Sequence, residues 1–141
     1  MSVLGSLQDW SELEQTIVGQ VPISTTTEAA YQQIWMRHVA LQNDLGLMAV
    51  QGGLLADRLA WVFVAGYQSA LRRTFMDQTF WGWGAFAVSE DRRGDPPLPG
   101  VDYQQLEDGF VVSGHKTWVA TVNSVDHLVV KAGHGERTLY F

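Results

Sequence analysis

Cysteine is absent from the 141 residues, which excludes a disulfide framework, thiolate metal sites and thiol catalysis together. Histidine and carboxylate remain as the only strong metal ligands. Charge is sparse, at 17% of the chain, and nine Lys plus Arg against fifteen Asp plus Glu leave a net charge of -6. No Lys/Arg cluster supplies the footprint that a phosphate backbone or an anionic membrane surface needs, so neither nucleic acid nor membrane is an expected partner. The basic start and apolar run of a signal peptide are missing from the first twenty residues, which carry Asp9, Glu12 and Glu14; a cytoplasmic location is expected. The most apolar stretch, Leu45 to Ala70, is interrupted by Gln51, Asp57, Arg58 and Gln68, and its longest uncharged run falls well below the ~20 residues of a membrane span once its Gly and polar positions are discounted. What is present is a 46% hydrophobic composition, enough for a core, in a length that suits one domain or two small ones.

Periodicity divides the chain near residue 80. Residues 1–80 read as a helical N-terminal domain. Ser11-Glu12-Leu13-Glu14 and Thr25-Thr26-Thr27-Glu28 each place a hydroxyl three residues before a carboxylate, the capping-box pattern, with Pro22 between them. Ala29, Ala30, Ile34, Trp35, His38 and Val39 then recur at helical spacing, and Asn43-Asp44 with Gly46 predicts a break. A second long helix is expected from Leu47 to about Met76, interrupted or closely packed at Gly52-Gly53 and Gly66 and ending in Arg72-Arg73, a basic pair suited to a helix C-terminus.

Residues 81–141 change to short apolar runs between Gly, Pro and Asp turns, the pattern of strands. Strands are expected near Gly84 to Ser89, Val101 to Leu106, Phe110 to Trp118, His127 to Ala132 and Thr138 to Phe141, with tight turns at Glu107-Asp108-Gly109 and Gly133-His134-Gly135. Helices first and antiparallel strands after make the expected class α+β. The apolar Thr138 to Phe141 has no polar tail behind it. That predicts unpaired backbone groups there, and a β domain that is partial or completed by a second polypeptide.

Two segments carry a family pattern. Ala85-Phe86-Ala87-Val88-Ser89-Glu90 precedes a Gly-containing loop; Asp108-Gly109-Phe110-Val111-Val112-Ser113-Gly114-His115-Lys116-Thr117-Trp118-Val119 follows, with Asp126 eight residues after the Trp. Together they resemble the middle β domain of the acyl-CoA dehydrogenase family, over residues 47–141. The resemblance implies a partial antiparallel β-barrel-like domain behind a shortened helical domain, and an FAD-dependent oxidoreductase that dehydrogenates acyl-CoA thioesters. It implies flavin contacts from Phe86, Val88, Ser89, Trp118 and Thr121, and substrate contacts from Gly94 and Asp95. It also implies a homo-oligomer, or a partner chain that supplies the family's C-terminal helical domain and its proton-abstracting carboxylate. A flavin monooxygenase of the same fold would need no such base.

The chemistry is arguable from the residues. An isoalloxazine is planar and carries acceptors along one edge, so its site needs an aromatic wall beside backbone amides and hydroxyls. Trp118 supplies the wall, and the strand ending at Ser89 supplies the polar edge. Trp118 read simply as a strand aromatic fills a small core instead, and Ser89-Glu90 is then a polar strand end. Two departures from the family pattern favour a non-catalytic partner subunit or a degenerate fragment. Ala120 stands where the family has a flavin-binding hydroxyl, with Thr121 expected on the opposite strand face. The loop reads Asp91-Arg92-Arg93-Gly94-Asp95-Pro96 where the family has smaller residues; Arg92 and Arg93 either pair with phosphates or form a solvated turn. The histidines His38, His115, His127 and His134 have no metal-ligand spacing, and no metal site is expected.

Overall fold

The structure, a computed structural model, describes residues 14, 15 and 17–141. Of the first expected capping box, Ser11-Glu12-Leu13-Glu14, the capping hydroxyl of Ser11 lies outside them. The chain is α+β and divides between Trp83 and Gly84 into a helical unit and a β unit.

The helical unit holds α1 (Glu28–His38), α2 (Leu45–Leu55) and α3 (Leu59–Thr74). Thr27, not Thr25, caps α1, its Oγ1 accepting from Ala30 N at 3.2 Å; Glu28 is therefore the first helical residue. Thr25 is buried, and its N donates to Asp57 Oδ2 at 3.1 Å. Asp44 caps α2 through Oδ1, which accepts from Gly46 N and Leu47 N at 2.7 and 3.0 Å. The expected long helix from Leu47 to Met76 is two helices. The break falls at Ala56-Asp57-Arg58 and not at the glycines, because Asp57 and Arg58 are drawn out of helical geometry to bind the Ile23–Thr25 segment: Ile23 N reaches Leu55 O, and Arg58 donates to Thr25 O.

An aromatic core holds the three helices together. Tyr31 stacks on Trp61 with ring centroids 5.6 Å apart, and Trp35 meets the edge of Trp83 at 6.3 Å. Each such buried side chain contributes about 1.5–3 kcal/mol through removal of apolar surface from water. The Tyr31 hydroxyl donates to Gly52 O at 2.7 Å, and burial pushes its pKa up. Arg72, in the last turn of α3, lies over the Trp35 ring and donates from Nη2 to Gly82 O at 2.6 Å. Partial burial draws that guanidinium's pKa down.

The β unit contains β1 (Gly84–Ala87), β2 (Asp102–Leu106), β3 (Gly109–Ser113), β4 (His127–Ala132) and β5 (Leu139–Tyr140), with a 3-10 turn at Gly135–Arg137. These form two small sheets, one of order β1-β4-β5 and one hairpin of β2 and β3, and neither closes into a barrel. The hairpin turns at Glu107-Asp108, at the expected tight turn, with Leu106 opposite Gly109. The expected all-antiparallel order fails at one place: β1 runs parallel to β4, from Gly84 opposite His127 to Ala87 opposite Val130. A parallel pair needs a long crossover, and the hairpin lies within that connection. The end of the chain is not left unpaired on both sides. Phe141 N and O exchange hydrogen bonds with Val130 at 3.0 and 2.8 Å, and the Phe141 ring packs on Phe110 at 5.1 Å and Tyr103 at 5.6 Å.

Candidate functional site

The site is built where β1 ends. Beyond Ala87 the chain leaves the sheet as Val88-Ser89-Glu90, and the segment after β3 returns alongside it. That return starts at Gly114, which only glycine can occupy: φ is +133°, and a Cβ would lie 2.2 Å from Gly100 O. His115 N then donates to Pro99 O at 3.0 Å, and Thr117 N donates to Ser89 O at 2.8 Å. The segments around Ser89 and Thr117 are thereby joined by a backbone hydrogen bond.

β3 stops at Ser113, so the strand expected to run through Trp118 ends five residues early. Trp118 lies in an irregular segment with φ +58° and its residue 82% exposed. It is neither a strand aromatic nor core filling. Thr121, also at positive φ (+56°), belongs to a turn, so the expectation of an opposite strand face does not apply. It is buried, and its hydroxyl donates to Ala120 O at 2.7 Å. Ser89 is exposed, and Val88 is partly exposed with its carbonyl turned to Lys116. Phe86 is half-buried in β1, its ring 5.7 Å from that of Tyr140. Gly94 and Asp95 are exposed in the 92–100 loop.

Charge beneath this surface centres on Glu90, a residue that sequence reasoning left in a structural role. Glu90 Oε1 accepts from Lys116 Nζ at 2.6 Å and from Val101 N at 3.1 Å, and Oε2 accepts from Arg92 Nη2 at 3.0 Å. His134 Nε2 lies 3.5 Å from Oε2. The Lys116 ammonium first, then the Arg92 guanidinium, hold the Glu90 carboxyl down at about 2. Lys116 stood in the Gly-x-Lys-x-Trp spacing without a role; the opposite charge at Glu90 was the available signal.

Beside the pair runs a largely apolar groove of about 320 Å³, walled by Ala87, Val101, Val112, Val119, Leu128 and Val130. That is near the small end of ligand pockets. Among the described residues no three His, Asp or Glu converge as a metal site.

Set against an isoalloxazine, the exposed face of Trp118 and the exposed Ser89 hydroxyl suit a planar ring with acceptors on one edge. The phosphate side is less well matched. Arg92 is paired with Glu90, and Arg93 is folded onto Asp91, from Nε to Oδ1 at 2.9 Å and from Nη2 to Oδ2 at 3.0 Å. The Arg93 guanidinium in turn holds the Asp91 carboxyl at about 2. Comparison with known proteins finds no matching family model, no matching curated protein and no matching solved structure.

Proposed function

We propose that the β unit forms the flavin-facing wall of an FAD-dependent oxidoreductase of the acyl-CoA dehydrogenase type, acting on acyl-CoA thioesters. What supports this reading is the hydrogen bond from Thr117 N to Ser89 O, which joins the two segments of the family pattern. With that bond in place, Trp118 turns an open aromatic face outward next to a strand end. In this reading Trp118 stacks on the ring, while the exposed Ser89 hydroxyl and the backbone from Phe86 to Ser89 meet its polar edge. Gly94 and Asp95 face the acyl-CoA, and Thr121 shapes the turn without lending its hydroxyl. When bound, FAD supplies the hydride acceptor. In this reading a partner chain supplies the base that removes the alpha proton. None of the helices found among the described residues is long and apolar enough to cross a membrane.

A second reading has its own support. Ala120 offers no hydroxyl, Thr121 turns its hydroxyl onto the backbone, and both loop arginines are paired. These features suit a non-catalytic partner subunit that retains the shape of the site.

Titration of the purified chain with FAD, followed by flavin fluorescence and the visible spectrum, tests the first reading. Quenching and a perturbed spectrum are expected, and both are lost in Trp118→Ala. A wild-type chain that leaves the flavin spectrum unchanged defeats the flavin reading and leaves the partner-subunit reading standing.

A further inference from the structure

The Glu90–Lys116 pair invites an account beyond charge neutrality. The Lys116 side chain is 8% exposed and that of Glu90 10%. An ion pair this buried is poor evidence of stability, because desolvating two charges offsets most of their attraction; the best-attested use of such pairs is to select one geometry among several. The geometry selected is visible in their other bonds. Lys116 Nζ also donates to Val88 O at 3.2 Å, and Glu90 Oε1 also accepts from Val101 N. The pair therefore ties the end of β1, the entry to β2 and the return segment at a single point, two residues before Trp118.

Trp118 needs such an anchor. A bulky aromatic at φ +58° costs about 1–3 kcal/mol relative to an ordinary backbone conformation. A strained core residue recovers that cost through burial, but this residue is 82% exposed. Its neighbours must hold it. Thr117, between Lys116 and Trp118, is fixed to Ser89 O, so the constraint passes from the ion pair along one hydrogen-bonded residue to the strained one.

We propose that Glu90 and Lys116 form a positioning pair that holds Trp118 in its left-handed, outward-facing conformation, preorganised to stack on a planar ring. The ring-binding half of this proposal rests on the flavin reading above. Neither side chain touches the ring; both act through the backbone of residues 116–118.

The test uses the full chain and the double variant Glu90→Gln/Lys116→Met, which removes both charges together and so leaves no uncompensated buried ion. Its urea midpoint is expected to stay close to wild type. Exchange of the Thr117 amide accelerates and the Trp118 backbone chemical shifts leave the left-handed region, while FAD affinity falls about tenfold, the scale of one lost charge-assisted hydrogen bond. Lys116→Arg, which keeps the charge, retains most of the affinity, and Glu90→Asp, which shortens the arm, loses part of it. These two single variants carry the test if the double variant does not fold. Unchanged Thr117 protection and Trp118 shifts overturn the positioning role whatever the flavin does. Unchanged FAD affinity in a variant whose Trp118 shifts do move overturns the link to ring binding alone. If the wild-type chain binds no FAD, the flavin reading falls and the amide exchange decides the positioning role by itself.

Discussion

Gly52 lies so close to Trp35 that a Cβ built on it would stand 3.1 Å from the indole Nε1 and 2.7 Å from Ala65 Cβ. The same glycine's carbonyl accepts the hydrogen bond from the Tyr31 hydroxyl, so α1, α2 and α3 meet at one point with no room for a side chain. Gly52→Ala is expected to cost about 1–3 kcal/mol through overpacking. Gly66→Ala is the control: no atom lies within 4 Å of its Cβ position, and alanine in place of a helical glycine gains about 0.5–1 kcal/mol. Denaturant midpoints of the two variants should move in opposite directions. Movement in the same direction would refute the close approach.

Trp118→Gly removes an exposed aromatic from a left-handed position that glycine adopts freely. The chain is expected to gain about 1 kcal/mol in stability. A lower thermal midpoint in this variant would mean that Trp118 contributes packing that its exposure does not reveal.

The depressed carboxyls set an acid limit. Glu90 titrates at about 2 in the folded chain against an ordinary 4.5, so its contribution is fully present above pH 4.5 and is lost as the pH falls toward 2. Asp57 and Asp91, also held at about 2 by Arg58 and Arg93, titrate in the same window but are more exposed. Urea midpoints measured from pH 7 down to pH 2 should fall below about pH 4.5. In Glu90→Gln the slope of that fall should be shallower, and an unaltered slope would show that the buried pair does not couple to folding.

Arg72→Lys keeps the charge and loses the planar fork that reaches Gly82 O and Phe80 O while lying over Trp35. A loss of about 1.5–3 kcal/mol is expected, the range for hydrogen bonds from a charged donor. Trp83, which packs on Tyr31 and Trp35 beside that loop, should report the change through its fluorescence. A variant with wild-type stability would remove Arg72 as the tie between α3 and the 80–83 segment.

The order of helices before strands, the break at Asn43-Asp44, the β2–β3 turn and β4 were legible in the sequence because each is dictated by local residues. The misreadings have a common physical origin in long-range contacts. Asp57-Arg58 looked like polar interruptions of a helix and became its break, because the partner segment at Ile23–Thr25 is about thirty residues away in sequence. Tyr31, fully buried, stood outside the apolar periodicity because its hydroxyl hid its role until Gly52 O supplied an acceptor. At the candidate site, the spacing marked Ser89, Lys116 and Trp118. Spacing alone carried no sign that β3 would stop at Ser113 or that Thr121 would turn inward, since both follow from a backbone path fixed by Gly114 against Gly100.

The parallel partnership of β1 with β4 bears on the order in which the β unit assembles. The β2–β3 hairpin closes over two residues and is free to form in microseconds. Gly84–Ala87 must instead wait for His127–Ala132 to return across roughly forty intervening residues, at a correspondingly larger loop-closure entropy. Ser89 and Trp118 lie within that interval, so the junction at which Thr117 N meets Ser89 O is completed among the last events of folding, and a nascent chain would acquire it only after the hairpin was already in place.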